Sequence, residues 1–270
     1  YKVMALFGIQ DAMKVVLVLE NISSFGPWGL ELLAVFGIEV RTVIEMEGKC
    51  ASTLLAGVSG LTFFVPTVHG SSEVDGYSSW LMRRSGIVRK RGSRHRGVYN
   101  ITIVEKDYLH ADLTHVLRNG NEPAAWAKAM CPNATGEFLV LTQKPVRQIV
   151  DILINTDILV TSPGSDMMHS VNLLPGSVII SVCYCHMLLP NGTCTPTVGR
   201  EVYHWFRQRG SVALLPYCSI TASELTDQGL NPWFSWGQQP YHQINLAKHK
   251  FNALLQKAAS FVDRRRLVYQ

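Results

Sequence analysis

TDILVTSPGSDMMHSVNLLPGSVII, residues 156–180, is the stretch that decides the fold. Asp157–Thr161 is a short apolar run and predicts a buried strand. Ser162–Asp166 then predicts a tight loop, Met167–Leu174 a short helix, and Ser177–Val182 a second strand. Two parallel strands joined through a loop and helix form half of a doubly wound sheet. The flanks extend the pattern. Glu137–Thr142 reads as a strand, and Pro145 stands at a first helical position. Val146, Ile149, Val150 and Leu153 follow with helical spacing. Further upstream, Val98–Glu105 reads as a strand, with helical sequence continuing to about Met130. The succession is β-α-β-α-β, a Rossmann-like half. Beyond it we expect a helix near Arg200–Arg209, a strand at Ser211–Leu215 and a final helix near Gln243–Val262.

The N-terminal part alternates in the same way. Lys14–Glu20 predicts a buried strand and Gly26-Pro27 a turn. Trp28–Phe36 predicts a helix with Leu30, Leu33 and Phe36 on one side, and Ile38–Ile44 the next strand. Residues 70–97 are rich in Gly and Ser and carry Arg83, Arg84, Arg89, Lys90, Arg91, Arg94 and Arg96. They read as a linker between two α/β domains, at 1–95 and 96–270. A solvated loop is the plain reading of each arginine, and a phosphate contact from one or two of them is the sharper one.

Composition narrows the classes. Of 270 residues, 47% are hydrophobic and 17% charged, which suits a packed core rather than a disordered chain. The net charge of +5 mildly favours anionic ligands. The basic run has no aromatic interleaving, so nucleic acid is not an expected partner. Cys50–Ser72 and Met167–Gly199 lack charged residues, yet their Pro, Gly, Ser and Thr suit buried strand and loop better than a membrane span. The chain opens at Tyr1 with no charged-then-apolar leader, so a mature or truncated form is expected, with any membrane anchor outside it. Asn21, Asn100, Asn133 and Asn191 each head an Asn-x-Ser/Thr sequon, and six cysteines allow up to three disulfides. Four of those cysteines fall between 183 and 218, as in a stapled loop region. Together these favour the secretory lumen, against buried free thiols in a cytosolic enzyme.

The chemistry is expected beyond the carboxyl end of the 157–161 strand, where open parallel sheets bind ligands. Gly164 lets the backbone turn and approach a ligand closely. The helix that follows offers free N–H groups and a positive dipole end to a diphosphate. Ser162 and Ser165 add hydroxyl donors. Asp166 either caps the helix or holds a sugar hydroxyl. His169 either reaches the site or packs.

Phe138 to Ile180 resembles the C-terminal core of glycosyltransferase family 61. Asn155-Thr156-Asp157-Ile158-Leu159-Val160 is similar to the lead-in of that core, and Leu173-Leu174-Pro175-Gly176-Ser177-Val178-Ile179-Ile180 to its exit. Trp28 and Glu31, within Ser24–Leu33, resemble the Trp and acid of an N-terminal family motif, with Pro27 in place of its His. Cys50 with Ala56-Gly57, Ile101–Lys106 and Asn231-Pro232-Trp233 resemble further family segments in the same order. Pro163-Gly164-Ser165-Asp166 replaces the family's His-Gly-Ala-Gly, Ser181 its Glu, and Lys106 its Arg.

The resemblance implies a GT-B fold, two Rossmann-like domains facing a cleft. It implies an inverting transfer of a hexosyl or pentosyl unit from a UDP-sugar to a protein or polysaccharide hydroxyl, in the Golgi or endoplasmic reticulum. It implies metal-independent chemistry, with no cofactor; the sequence contains no Asp-x-Asp. The partners implied are a nucleotide sugar and a glycan or glycoprotein acceptor. The donor site would comprise Lys106, Lys144, Ser162, Pro163, Gly164, Ser165, Asp166, His169 and Ser181. Charge on the leaving UDP would be offset by the helix N-terminus and by Lys106, Lys144 or a linker arginine. An inverting transfer needs a base; Glu31 is the leading candidate, with Glu20 and His69 as rivals. Two other readings stay open. One is a glycosyltransferase-like binding module without activity. The other is a dinucleotide-dependent enzyme, against which stands the missing Gly-x-Gly-x-x-Gly after a strand.

Overall fold

A computed structural model describes residues 15–19, 30–31, 33–34, 37–49, 83, 86–87, 97–105, 117, 119, 121–140, 144–162, 169–197, 211–226 and 243–266. The main sheet contains β3 (Asn100–Glu105), β4 (Thr135–Val140), β5 (Ile158–Thr161), β6 (Val178–Val182) and β9 (Ala213–Tyr217). All of its pairings are parallel, in the order β4-β3-β5-β6-β9. In chain order within the sheet this is 2-1-3-4-5, a doubly wound arrangement. The expected α/β alternation of the second half is therefore present.

Among the described residues three helices clothe this sheet: α2 (Asn121–Met130), α3 (Val146–Ile154) and α4 (Lys248–Arg266). Alternation along the strands divides the core in two. Ile101, Ile103, Ile158, Val160, Val178 and Ile180 point to one face, where Ala127 of α2 and Phe251, Leu255, Ala258 and Val262 of α4 cover them. Val104, Leu159 and Ile179 point to the other, against Ile149 and Leu153 of α3. The whole of β5 is buried because strands flank it and helices lie on both sides. At the far end of the described sheet, β9 is less buried and tolerates Pro216, as an edge strand can.

β1 (Val15–Leu19) and β2 (Ile38–Thr42) form a separate parallel pair, with a helical turn at Leu30, Glu31, Leu33 and Ala34 between them. β2 ends at Thr42 rather than Ile44. Thr42 and Glu45 make a reciprocal capping box, Glu45 N–H to Thr42 Oγ1 at 3.2 Å and Thr42 N–H to Glu45 at 2.6 Å, which starts the one-turn helix α1 (Val43–Met46).

Four other expectations change. Leu117 lies in a bridge to Ile244, not in a helix. Of the expected 167–174 helix, the described residues hold a 3-10 turn, His169–Asn172, before Pro175 disfavours helical backbone at Leu174. The last helix begins at Lys248, because Gln243–Ile244 is β11, paired with β10 (Leu225–Thr226), and Asn119 holds Leu246 through both backbone groups, at 2.9 and 3.1 Å. A hairpin not expected at all joins β7 (Tyr184–Leu188) to β8 (Cys194–Thr197). Its turn closes with Gly192 N–H to the Leu189 carbonyl, and Gly192 sits at φ 75°, where a side chain is strained. The Gly26-Pro27 turn, most of the 70–97 linker and the 200–209 helix lie outside the described residues.

At the amino ends of the central strands, Arg266 of α4 pairs with Asp157 at 2.9 Å; the Asp157 side chain is buried and that of Arg266 largely so, at 12% exposure. Asp157 also accepts from Asn100 N–H at 2.9 Å, and Arg266 donates to the Val98 carbonyl at 2.9 Å. Removing one partner of a buried pair leaves the other charge uncompensated. Asp157→Asn should therefore lower the unfolding free energy by about 3 kcal/mol, read as an earlier urea midpoint at an unchanged slope.

Candidate functional site

The sheet reverses its winding between β3 and β5. α2, which follows β3, covers one face, and α3, which precedes β5, covers the other. Helices that part in this way leave a crevice beyond the carboxyl ends of β3 and β5, the usual ligand position of such sheets. Thr161 and Ser162 lie at this end of β5. Ser181, on β6, is in register with Thr161 and shares its face. Both are fully buried. Thr161 Oγ1 donates to its neighbour's carbonyl, Ser162 O, at 3.2 Å, whereas Ser181 Oγ has no hydrogen-bond partner among the described residues. A buried hydroxyl without a partner carries its full desolvation cost; Asn172 Oδ1 and Asn252 Oδ1 are buried without a described partner elsewhere.

The amino terminus of α3 opens at the same edge. Pro145 occupies its N-cap position and supplies no side-chain cap. Glu31 does so instead: its carboxylate accepts from Val146 N–H at 2.8 Å. An anion is favourable at this end of a helix. Lys144, half-buried, sits one residue before Pro145.

Of the expected site residues, then, Ser162 directly follows β5 and Ser181 lies on the adjacent β6, while Glu31 meets the α3 terminus two residues beyond Lys144. Lys106, Pro163, Gly164, Ser165 and Asp166 lie outside the described residues, as do Glu20 and His69. His169 begins the 3-10 turn. No group of three or more His, Cys, Asp or Glu that could hold a metal occurs among the described residues.

Two clasps frame the edge. Cys183 and Cys218 are disulfide-paired with Cα atoms 4.9 Å apart, which ties the carboxyl ends of β6 and β9. Cys185 and Cys194 pair across the β7–β8 hairpin, Cα atoms 5.2 Å apart. The clustered cysteines are therefore stapled as expected. Cys131 is free, Cys50 lies outside the described residues, and burial together with Asp263 pushes the Cys131 thiol pKa up.

A third clasp is polar and was not foreseen. Glu224 is buried and ion-pairs with Lys250 of α4. It also accepts from the Tyr217 hydroxyl and from Thr221 Oγ1 at 2.7 Å and N–H at 2.9 Å. Burial pushes its pKa up, but the bonds from Lys250, Tyr217 and Thr221 outweigh that and hold it below the ordinary value. Burial and the bond to Glu224 drive the Tyr217 phenol far up. Glu224 has its partners in place, so it anchors α4 to β9 rather than acting as a base. Only Thr221-x-x-Glu224, a capping box, was visible in the sequence.

No family model matches the chain, and neither does any curated protein. Among the described residues no helix is long and apolar enough to cross a membrane.

Because Glu224 has a lowered pKa in the fold, its contribution is complete above its unfolded value near 4.5 and fades as pH falls through the folded value. Glu224→Gln should lower stability at pH 7 and flatten the pH dependence below about pH 4.5, measured by thermal melts across an acid series. Peptide mapping without reduction should recover Cys183–Cys218 and Cys185–Cys194 as linked pairs, with Cys131 alkylated only slowly at neutral pH.

Proposed function

We propose that this chain carries the nucleotide-sugar site of an inverting glycosyltransferase, moving a hexosyl or pentosyl unit from a UDP-sugar to a hydroxyl of a protein or polysaccharide. One observation carries the reading: a doubly wound sheet with Ser162 at the carboxyl end of β5 and, on neighbouring β6, the buried Ser181 hydroxyl, which lacks a partner among the described residues. A diphosphate oxygen is a fitting acceptor for such a hydroxyl. The loop that resembles a donor loop, Ser162–Asp166, leaves β5 at that place.

In this reading the β1–β2 unit belongs to a second Rossmann-like domain, and the two face each other as in GT-B enzymes. Glu31 takes the acceptor hydroxyl proton as that oxygen attacks the anomeric carbon. UDP leaves from the opposite side, its charge met by Lys106 or Lys144. No metal ion is required. Synthesis into the Golgi or endoplasmic reticulum lumen agrees with the two disulfides.

A second reading, a glycosyltransferase-like module that binds without turnover, rests on a different observation. The Glu31 carboxylate is already engaged by Val146 N–H. A group that caps a helix in this way has to be released before it can serve as a base.

UDP should raise the melting temperature, and the rise should survive EDTA. A folded protein that shifts with no nucleotide at all would sink both readings. Gly164→Val should abolish the shift while leaving the fold intact. Ser181→Ala should weaken UDP binding several-fold with melting temperature unchanged or raised, because it removes an unsatisfied buried hydroxyl. Sugar transfer that is lost in Glu31→Gln with UDP binding retained favours the enzyme. UDP binding without hydrolysis or transfer in the unaltered chain favours the module.

A further inference from the structure

The sequence offers four sequons; Asn21 lies outside the described residues, and the surroundings of Asn100, Asn133 and Asn191 in the fold differ. Asn191 is exposed in the turn between β7 and β8. Its Oδ1 accepts from Thr193 N–H at 3.1 Å and from Thr193 Oγ1 at 2.7 Å. The threonine of the sequon is thereby bonded to the carboxamide oxygen, and Nδ2 is left to solvent. Asn133 is also exposed, in the tight turn that links α2 to β4, where Ala134 N–H donates to Cys131 O at 2.7 Å. Neither side chain donates to a described residue.

Asn100 is built into the fold. Its Nδ2 donates to the Asn155 carbonyl at 2.7 Å, and its Oδ1 accepts from Thr135 Oγ1 at 2.6 Å. Its own N–H is held by Asp157, the acid of the buried pair with Arg266. A saccharide on Nδ2 would have to pass the Asn155 backbone, and Asn155 is itself buried. Asn100 also opens a strand with a neighbour on each side, so the obstruction cannot be relieved by moving a free loop.

We infer that Asn133 and Asn191 are N-glycosylation sites of this protein and that Asn100 is not. The inference rests on the lumenal reading of the chain. In the transfer the carboxamide Nδ2 forms a bond to the anomeric carbon of an oligosaccharide carried on a lipid diphosphate. Nδ2 loses one proton, the anomeric carbon–oxygen bond breaks, and the lipid diphosphate leaves with the electron pair. Because this transfer acts on the nascent chain, the fold acts as a filter at Asn100. A glycan there blocks the start of β3, so folded protein carries none. At Asn133 and Asn191 a glycan extends into solvent.

The test is the whole chain secreted from eukaryotic cells behind a heterologous leader, digested with peptide N-glycosidase in heavy-oxygen water and mapped by mass spectrometry. The disulfides are mapped in the same sample. The expected result is isotope-marked aspartate at 133 and 191 and unmodified asparagine at 100. Asn133→Gln and Asn191→Gln should each remove one glycan step on a gel, and the double variant should remove both. Asn100→Gln should leave the glycan pattern unchanged. A glycan on Asn100 of folded protein overturns the inference. So does a bare Asn133 or Asn191 on a chain whose Cys183–Cys218 and Cys185–Cys194 bonds have formed. Bare asparagines on a chain with free thiols overturn the lumenal reading as well.

Discussion

The buried pair of Asp157 and Arg266 is the constraint on which the rest of the structure hangs. Asp157 precedes the most buried strand of the sheet, and Arg266 ends the longest helix among the described residues. The pair alone adds little net stability, because desolvating two charges offsets most of their attraction. Its effect is on arrangement. Asp157 has one place where its charge is met, and that place requires β3, β5 and the end of α4 to be in register. Tyr99 extends the network, donating to Asp263 at 2.8 Å beneath the Arg266 guanidinium.

With the amino ends of the strands locked in this way, the carboxyl ends are free to be specialised. There the restraints differ in kind. The Cys183–Cys218 bond is covalent, the Glu224 cluster binds α4 to β9, and Glu31 reaches the start of α3 from the other sheet. At the carboxyl end the buried Ser181 hydroxyl has no partner among the described residues.

Periodicity was enough to read what packing enforces. Val146, Ile149, Val150 and Leu153 are spaced for one face of a helix, and all four are buried. The continuous apolar strands at 157–161 and 177–182 were equally plain, because a strand covered on both sides has no polar positions to spare. Contacts between distant residues erased the signal elsewhere. Gln243–Leu246 has helical neighbours in sequence but is held extended by β10 and Asn119. The hairpin at 184–197 was overlooked although Pro190-Asn191-Gly192 is turn chemistry; uncharged residues on both sides hid the change of element. The site was legible as a location rather than as a set of roles. Ser181 drew notice only through a resemblance, and neither spacing nor composition indicates that Glu31 meets Val146.

The place of α4 in the chain has a consequence for biosynthesis. It follows every strand of the main sheet, yet Phe251, Leu255, Ala258 and Val262 fill the middle of one face. While a ribosome is still extending the chain, the part of that face that α4 covers is exposed. It stays so until α4 has emerged, and apolar β-surface left open in this way is prone to association.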